Sequence, residues 1–117
     1  MKSYTDLEQS RKLAEILPIE SADMCYRAYR EEGGIPDYQA TLCPYQFASW
    51  VGVPCWSLPA LLSVLSLPVL RYDIEDGEGG WIVSCEKDDK GYLSYYRDNP
   101  VDTCYNLILK LHEEKLL

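Results

Sequence analysis

Between residues 69 and 97 the periodicity of the chain changes from helical to alternating, and no other feature restricts its fold as tightly. Three short runs, VLRYDI, WIVSCE and YLSYYR, alternate apolar with polar positions and are separated by EDGEGG and KDDKG. Strict alternation is the period of a half-buried strand, and Gly-rich acidic connections suit tight reversals. The pattern predicts a three-stranded antiparallel β-meander. Successive side chains of a strand point to opposite faces. Trp81, Val83 and Cys85 therefore share one face of the middle strand, with Ile82 and Ser84 on the other. On the third strand Tyr92 and Tyr96 point to one side and Tyr95 to the other.

Helices are expected before and after the meander in the chain, the last of them packed on one face of the sheet. Thr5-x-x-Glu8 has capping-box spacing, Leu7, Leu13, Ile16 and Leu17 give a partial apolar face, and Pro18 ends this first helix. In IESADMCYRAYREE, Ser21 or Asp23 can cap a second, shorter helix whose apolar face is Met24, Cys25, Ala28 and Tyr29, broken at Gly33-Gly34. A third is expected from Ser57, with Pro59 in its first turn and Leu58, Leu61, Leu62 and Leu65 at helical spacing. Trp56, just before that cap, is placed to staple onto Leu61 or Leu62. The last is signed by Asn99, Pro100 and Asp102, and its buried stripe is Cys104, Leu107, Ile108 and Leu111. At 117 residues the chain is expected to form one α+β domain, a three-stranded antiparallel meander packed with three to four helices.

Residues 38–70 contain no charged side chain, although charged residues make up 26% of the protein. Pro44, Pro54, Pro59 and Pro68 divide the stretch, and its longest dense apolar run, LPALLSVLSLPVL, is too short for a membrane span of roughly 20 residues. The stretch is expected to be core or a covered interface.

The composition narrows the function classes. Nineteen acidic residues against eleven basic ones, a net charge of −8, argue against direct nucleic-acid binding, which is built from clustered Lys and Arg. The polar start MKSYTDLEQS does not read as a secretory signal, so a cytoplasmic location is expected. The five cysteines are widely spaced, with no C-x-x-C, and read as small buried hydrophobes. Cys43, Cys55 and His112 would make a poorly spaced zinc set, and no metal or other cofactor is expected. The single histidine, His112, reads as a boundary residue at a helix C-terminus. Phosphate-binding glycine motifs and a G-x-S-x-G elbow are both missing from the sequence.

Tyrosine is enriched instead, with ten copies. Exposed Tyr and Trp supply rigid amphipathic contact area at protein interfaces. The candidate binding residues are Trp56, Trp81, Tyr92, Tyr95 and Tyr96, and the expected partner is another protein or a second copy of the chain. Two other readings stay open. An acidic mimic of nucleic acid would use the net negative charge to occupy a DNA-binding enzyme, and a small hydrolase would use two paired carboxylates.

Three segments, ESADMCY at 20–26, PCWSLPALLSVLSLP at 54–68 and NPVDTCYNLILKLHEEK at 99–115, together resemble a group of small uncharacterised proteins of gut Bacteroidetes and their phages or mobile elements. The resemblance implies a cytoplasmic accessory protein of prophage or mobile-element type. It brings no catalytic or binding residue with it.

Overall fold

The computed structural model describes residues 1–29, 37–42, 52–75 and 78–117. Its elements are α1 (Leu7–Ala14), a 3-10 turn (Ile19–Ser21), β1 (Met24–Tyr29), β2 (Asp37–Leu42), β3 (Gly52–Cys55), α2 (Leu58–Val64), β4 (Val69–Glu75), β5 (Glu78–Lys87), β6 (Lys90–Tyr96) and α3 (Pro100–Glu113). The fold is α+β, with two three-stranded antiparallel sheets ordered β2-β1-β3 and β4-β5-β6.

The second sheet is the expected meander. Tyr72, Trp81 and Tyr96 lie side by side across its three strands, as do Leu70, Val83 and Ser94. Its β5–β6 reversal is a two-residue turn in which Asp88 and Asp89 both take positive φ, 51° and 63°. Those angles match the right-handed twist of the strands they join. The other reversal, at residues 76–77, lies outside the described residues.

The first sheet replaces the second helix expected from the sequence. Residues 24–29 form its central strand, pairing Tyr26 with Ala40 of β2 on one side and with Val53 of β3 on the other. A short apolar run fits either period, and here partners on both edges decide for the strand, overriding the local spacing. The capping residues proposed for that helix take other roles. Asp23 accepts hydrogen bonds from the Ser57 backbone N–H at 2.9 Å and from the Ser57 hydroxyl, while Ser21 closes the 3-10 turn. Pro54 is tolerated in β3 because that strand pairs only with β1 among the described residues.

Helix α1 starts one residue later than its spacing suggests. Asp6 accepts from the Gln9 N–H at 2.8 Å, and the Gln9 side chain accepts from the Asp6 N–H at 3.1 Å. Thr5 is released from capping and fully buried. Its hydroxyl accepts from the Trp56 N–H at 3.2 Å and shares a hydrogen bond of 2.8 Å with Ser10. Backbone bonds add to this junction, Thr5 N–H to the Trp56 carbonyl at 2.9 Å and Leu58 N–H to the Ser3 carbonyl at 3.1 Å.

Helices α2 and α3 follow their predicted starts. The Ser57 hydroxyl accepts from the Ala60 N–H at 3.3 Å, and the Asn99 side chain from the Asp102 N–H at 2.8 Å. One face of α3 buries Val101, Cys104, Leu107, Ile108 and Leu111. That helix lies over β5 and β6, and α2 packs against it. One core cluster runs from Leu13 and Leu17 through Trp56 and Leu61 to Val83, Cys85 and the α3 stripe. Trp56 is fully buried within it, and its indole N–H donates to the Ser21 hydroxyl at 2.9 Å.

The uncharged stretch is divided between these roles. Cys55, Trp56 and Leu61 are fully buried, whereas Leu42 stands exposed at the end of β2. Residues 43–51 lie outside the described residues.

Candidate interaction surface

The alternation of β4, β5 and β6 assigns each side chain to one of two faces of the second sheet. The inner face carries Leu70, Tyr72, Ile74, Trp81, Val83, Cys85, Tyr92, Ser94 and Tyr96, and α3 covers its centre. Val83 and Cys85 are buried there, with Leu70 and Tyr92 half-buried against the core. Toward the far end the cover runs out: Tyr72 is 53% exposed, Ile74 66% and Tyr96 37%. Tyr72 and Trp81 pack edge to face there, with ring centroids 5.1 Å apart.

The outer face carries Val69, Arg71, Asp73, Ile82, Ser84, Leu93 and Tyr95. Val69 is 55% exposed, Leu93 58% and Tyr95 49%. Both faces have a tyrosine laid over a glycine. A Cβ on Gly79 would fall 1.7 Å from the Tyr72 hydroxyl oxygen, and one on Gly80 2.2 Å from Tyr95 Cε2. Bare backbone at 79 and 80 thus lets each ring lie flat against the sheet.

Of the five residues proposed from the sequence, the second sheet brings four together. Trp81, Tyr92 and Tyr96 share its inner face, and Tyr95 stands on the outer one. Trp56 lies apart from them, in the core with no accessible surface. Sequence reasoning did not single out Val69, Tyr72, Ile74 or Leu93. Their signal was present in the alternating runs, which mark a face as apolar but not whether a helix covers it.

The described cysteines are buried. Burial raises the pKa of Cys55 and Cys85 and pushes Cys104 up to about 12. A nucleophilic thiol requires the opposite shift. Cys55 donates to the Thr5 carbonyl at 3.4 Å, so its thiol completes the junction around Thr5. Cys43 lies outside the described residues, and His112 is exposed on α3. Among the described residues no three His, Cys, Asp or Glu side chains gather as a metal site would require.

Shallow clefts also open among the described residues. One, of about 280 Å³, is lined by Met1, Lys2, Ser3, Tyr4, Asp6 and Tyr26, and another, of about 330 Å³, by Tyr95, Tyr96, Arg97 and Asp98. Neither brings two carboxylates together.

Beside the first cleft lies a charged hydrogen-bond network. Lys2 Nζ reaches Asp102 at 2.8 Å, Gln9 at 2.7 Å and Asp6 at 3.1 Å. Asp102 also accepts from Gln9 Nε2 at 2.8 Å and from Asn99 Nδ2 at 2.9 Å. Burial by itself would raise the Asp102 pKa, but hydrogen bonds from Lys2, Gln9 and Asn99 outweigh it and hold the carboxyl below its ordinary value. For Lys2, burial works against the charge and the bonds to Asp102 and Asp6 prevail, raising its pKa. The network ties the N-terminal segment to the start of α3.

A pH dependence follows from these directions. A depressed carboxyl pKa contributes stability that is present above the unfolded value and lost as pH falls through the folded one. For Asp102 that loss lies below about pH 4. Lys2, with its raised pKa, contributes below its unfolded value of about 10.5 and ceases to do so as pH rises beyond it. Asp102→Ala is expected to cost about 1–3 kcal/mol at neutral pH. In urea titrations its deficit against the parent should shrink on acidification below about pH 4. A deficit that stays constant down to pH 2 would remove the carboxylate from this account.

Comparison with known protein families, with curated proteins and with solved structures finds no match to this chain. Among the described residues, no helix is long and apolar enough to cross a membrane.

Proposed function

We propose that this chain is a non-enzymatic interaction module of accessory type, and that it associates with a second copy of itself through the β4-β5-β6 sheet. The observation that carries this reading is the set of large apolar side chains left open on that sheet. Val69, Tyr72, Ile74, Leu93 and Tyr95 are each about half exposed or more, in a protein whose α3 helix covers only the middle of one face. On the inner face Tyr72 and Ile74, with Trp81 and Tyr96 beside Tyr72, form one contiguous uncovered patch, and a patch of that kind marks a contact site more often than a free monomer surface. Both outer strands of the sheet also lack a further strand among the described residues. An unpaired edge presents a row of backbone donors and acceptors ready for another chain.

The raised thiol pKa values and the separated carboxylates of the two clefts are consistent with binding, not chemistry, as the role. Solution mass of the purified chain, measured by light scattering over a wide dilution range, tests the proposal. A concentration-dependent dimer is expected. A monomer at every concentration, even the highest, would overturn self-association and redirect attention to partners of other sequence.

A further inference from the structure

We propose that two copies join edge to edge through β4, antiparallel and in one register, with a twofold axis at Tyr72. The proposal rests on the self-association just described and specifies its geometry. Strand β4 reads VLRYDIE, and about its central tyrosine it is complementary to itself. A twofold axis perpendicular to the sheet at Tyr72 sets Arg71 of each copy opposite Asp73 of the other on the outer face. On the inner face it sets Leu70 opposite Ile74, and Tyr72 opposite its own copy. Val69 and Glu75 pair at the two ends of the strand.

Each pair in the middle of the contact is a favourable, directly opposed cross-strand pair: opposite charges, an aliphatic pair and an aromatic pair. Neighbouring registers that keep the same faces together lose this. Centring on Arg71 or on Asp73 opposes two like charges at the axis, which is destabilising. With a net charge of −8 on each copy, association must overcome mutual repulsion, and a contact that places arginine against carboxylate twice works against it.

The other edge is a poorer template. Strand β6, KGYLSYY, carries one charge, Lys90, and no carboxylate within the strand to oppose it. Helix α3 also lies over β6 and β5, leaving β4 the strand farther from its cover. On β4 the exposure fits: Arg71 is exposed, and Val69, Tyr72 and Ile74 are 55%, 53% and 66% exposed. Pairing would bury Ile74 against Leu70 of the second copy. Both copies of α3 would lie on the same side of a continuous six-stranded sheet.

The test is the dimer dissociation constant of the full chain and four variants, by sedimentation across dilution with circular dichroism as a check of folding. Arg71→Glu and Asp73→Arg, each opposing like charges at two symmetric positions, should each weaken the dimer about tenfold or more. The double variant R71E/D73R restores opposite charges and should recover most of that loss. Lys90→Gln, on the opposite edge strand β6, should leave the constant within about twofold. Separately, Tyr72→Cys should form a disulfide between copies on mild oxidation, since residues opposed on a twofold axis lie within its reach of roughly 4.4–6.8 Å between Cα atoms.

A dimer that tolerates both single charge variants, or that Lys90→Gln alone disrupts, would overturn the β4 register while leaving self-association standing. The register is overturned in the same way if Tyr72→Cys does not cross-link while the dimer persists. A parent chain that never dimerises would overturn both.

Discussion

Trp56→Ala is expected to destabilise the protein by about 3–5 kcal/mol, the range for deleting a large aromatic side chain from a packed core. The indole is fully buried and belongs to the cluster that joins α1, α2 and α3. Its N–H is satisfied by Ser21, so the substitution opens a cavity and also removes a hydrogen bond. Trp56→Phe separates the two effects. Most of the volume stays while the bond is lost, and a cost of about 1 kcal/mol is expected. Urea unfolding followed by circular dichroism reads both. An alanine variant with an unchanged midpoint would mean that Trp56 is not the centre of the core.

Gly52→Ala is the second large effect and has a different origin. A Cβ there would lie 1.6 Å from the carbonyl oxygen and 2.7 Å from the carbonyl carbon of Tyr26. These are backbone atoms of the central strand of the first sheet and cannot swing aside as the end of a side chain can. The substitution must separate β3 from β1, where Gly52 pairs with Arg27, at an expected cost of about 3 kcal/mol. Gly91→Ala is the control, because a Cβ at that position meets nothing within 4 Å, and its effect should be within about 1 kcal/mol. Equal midpoints for the two variants would show that β3 does not pack in this register.

The two predictions fall in parts of the chain that differ in how well sequence reveals them. The meander and α3 were legible because their determinants are local: alternation, reversals that require turn residues, and a helix start signed by Asn99 and Pro100. The first sheet was not. Residues 24–29 are a strand because β2 and β3 flank them, and although β2 is the next element, β3 lies farther along the chain, beyond it. Thr5 illustrates the same limit. Its spacing to Glu8 suits a cap, yet bonds to Trp56 and Ser10 draw it into the interior and pass the cap to Asp6. Among the candidate surface residues, the tyrosine count drew attention to β6. What marks β4 is which side chains α3 leaves uncovered, and that depends on how the helix lies across the sheet.

The N-terminal segment has a consequence for the order of folding. Lys2 meets Asp102, and Thr5 meets Trp56, across separations of 100 and 51 residues. Closing loops of that length costs entropy that local contacts do not, so these bonds are expected to form after the local structure of α3, β3 and the start of α2. The segment is thus expected to dock late on a refolding chain. Its departure would take away the Thr5 contacts of the buried Cys55 thiol. The rate at which Cys55 is alkylated in the folded protein is therefore expected to track opening of the N-terminal segment.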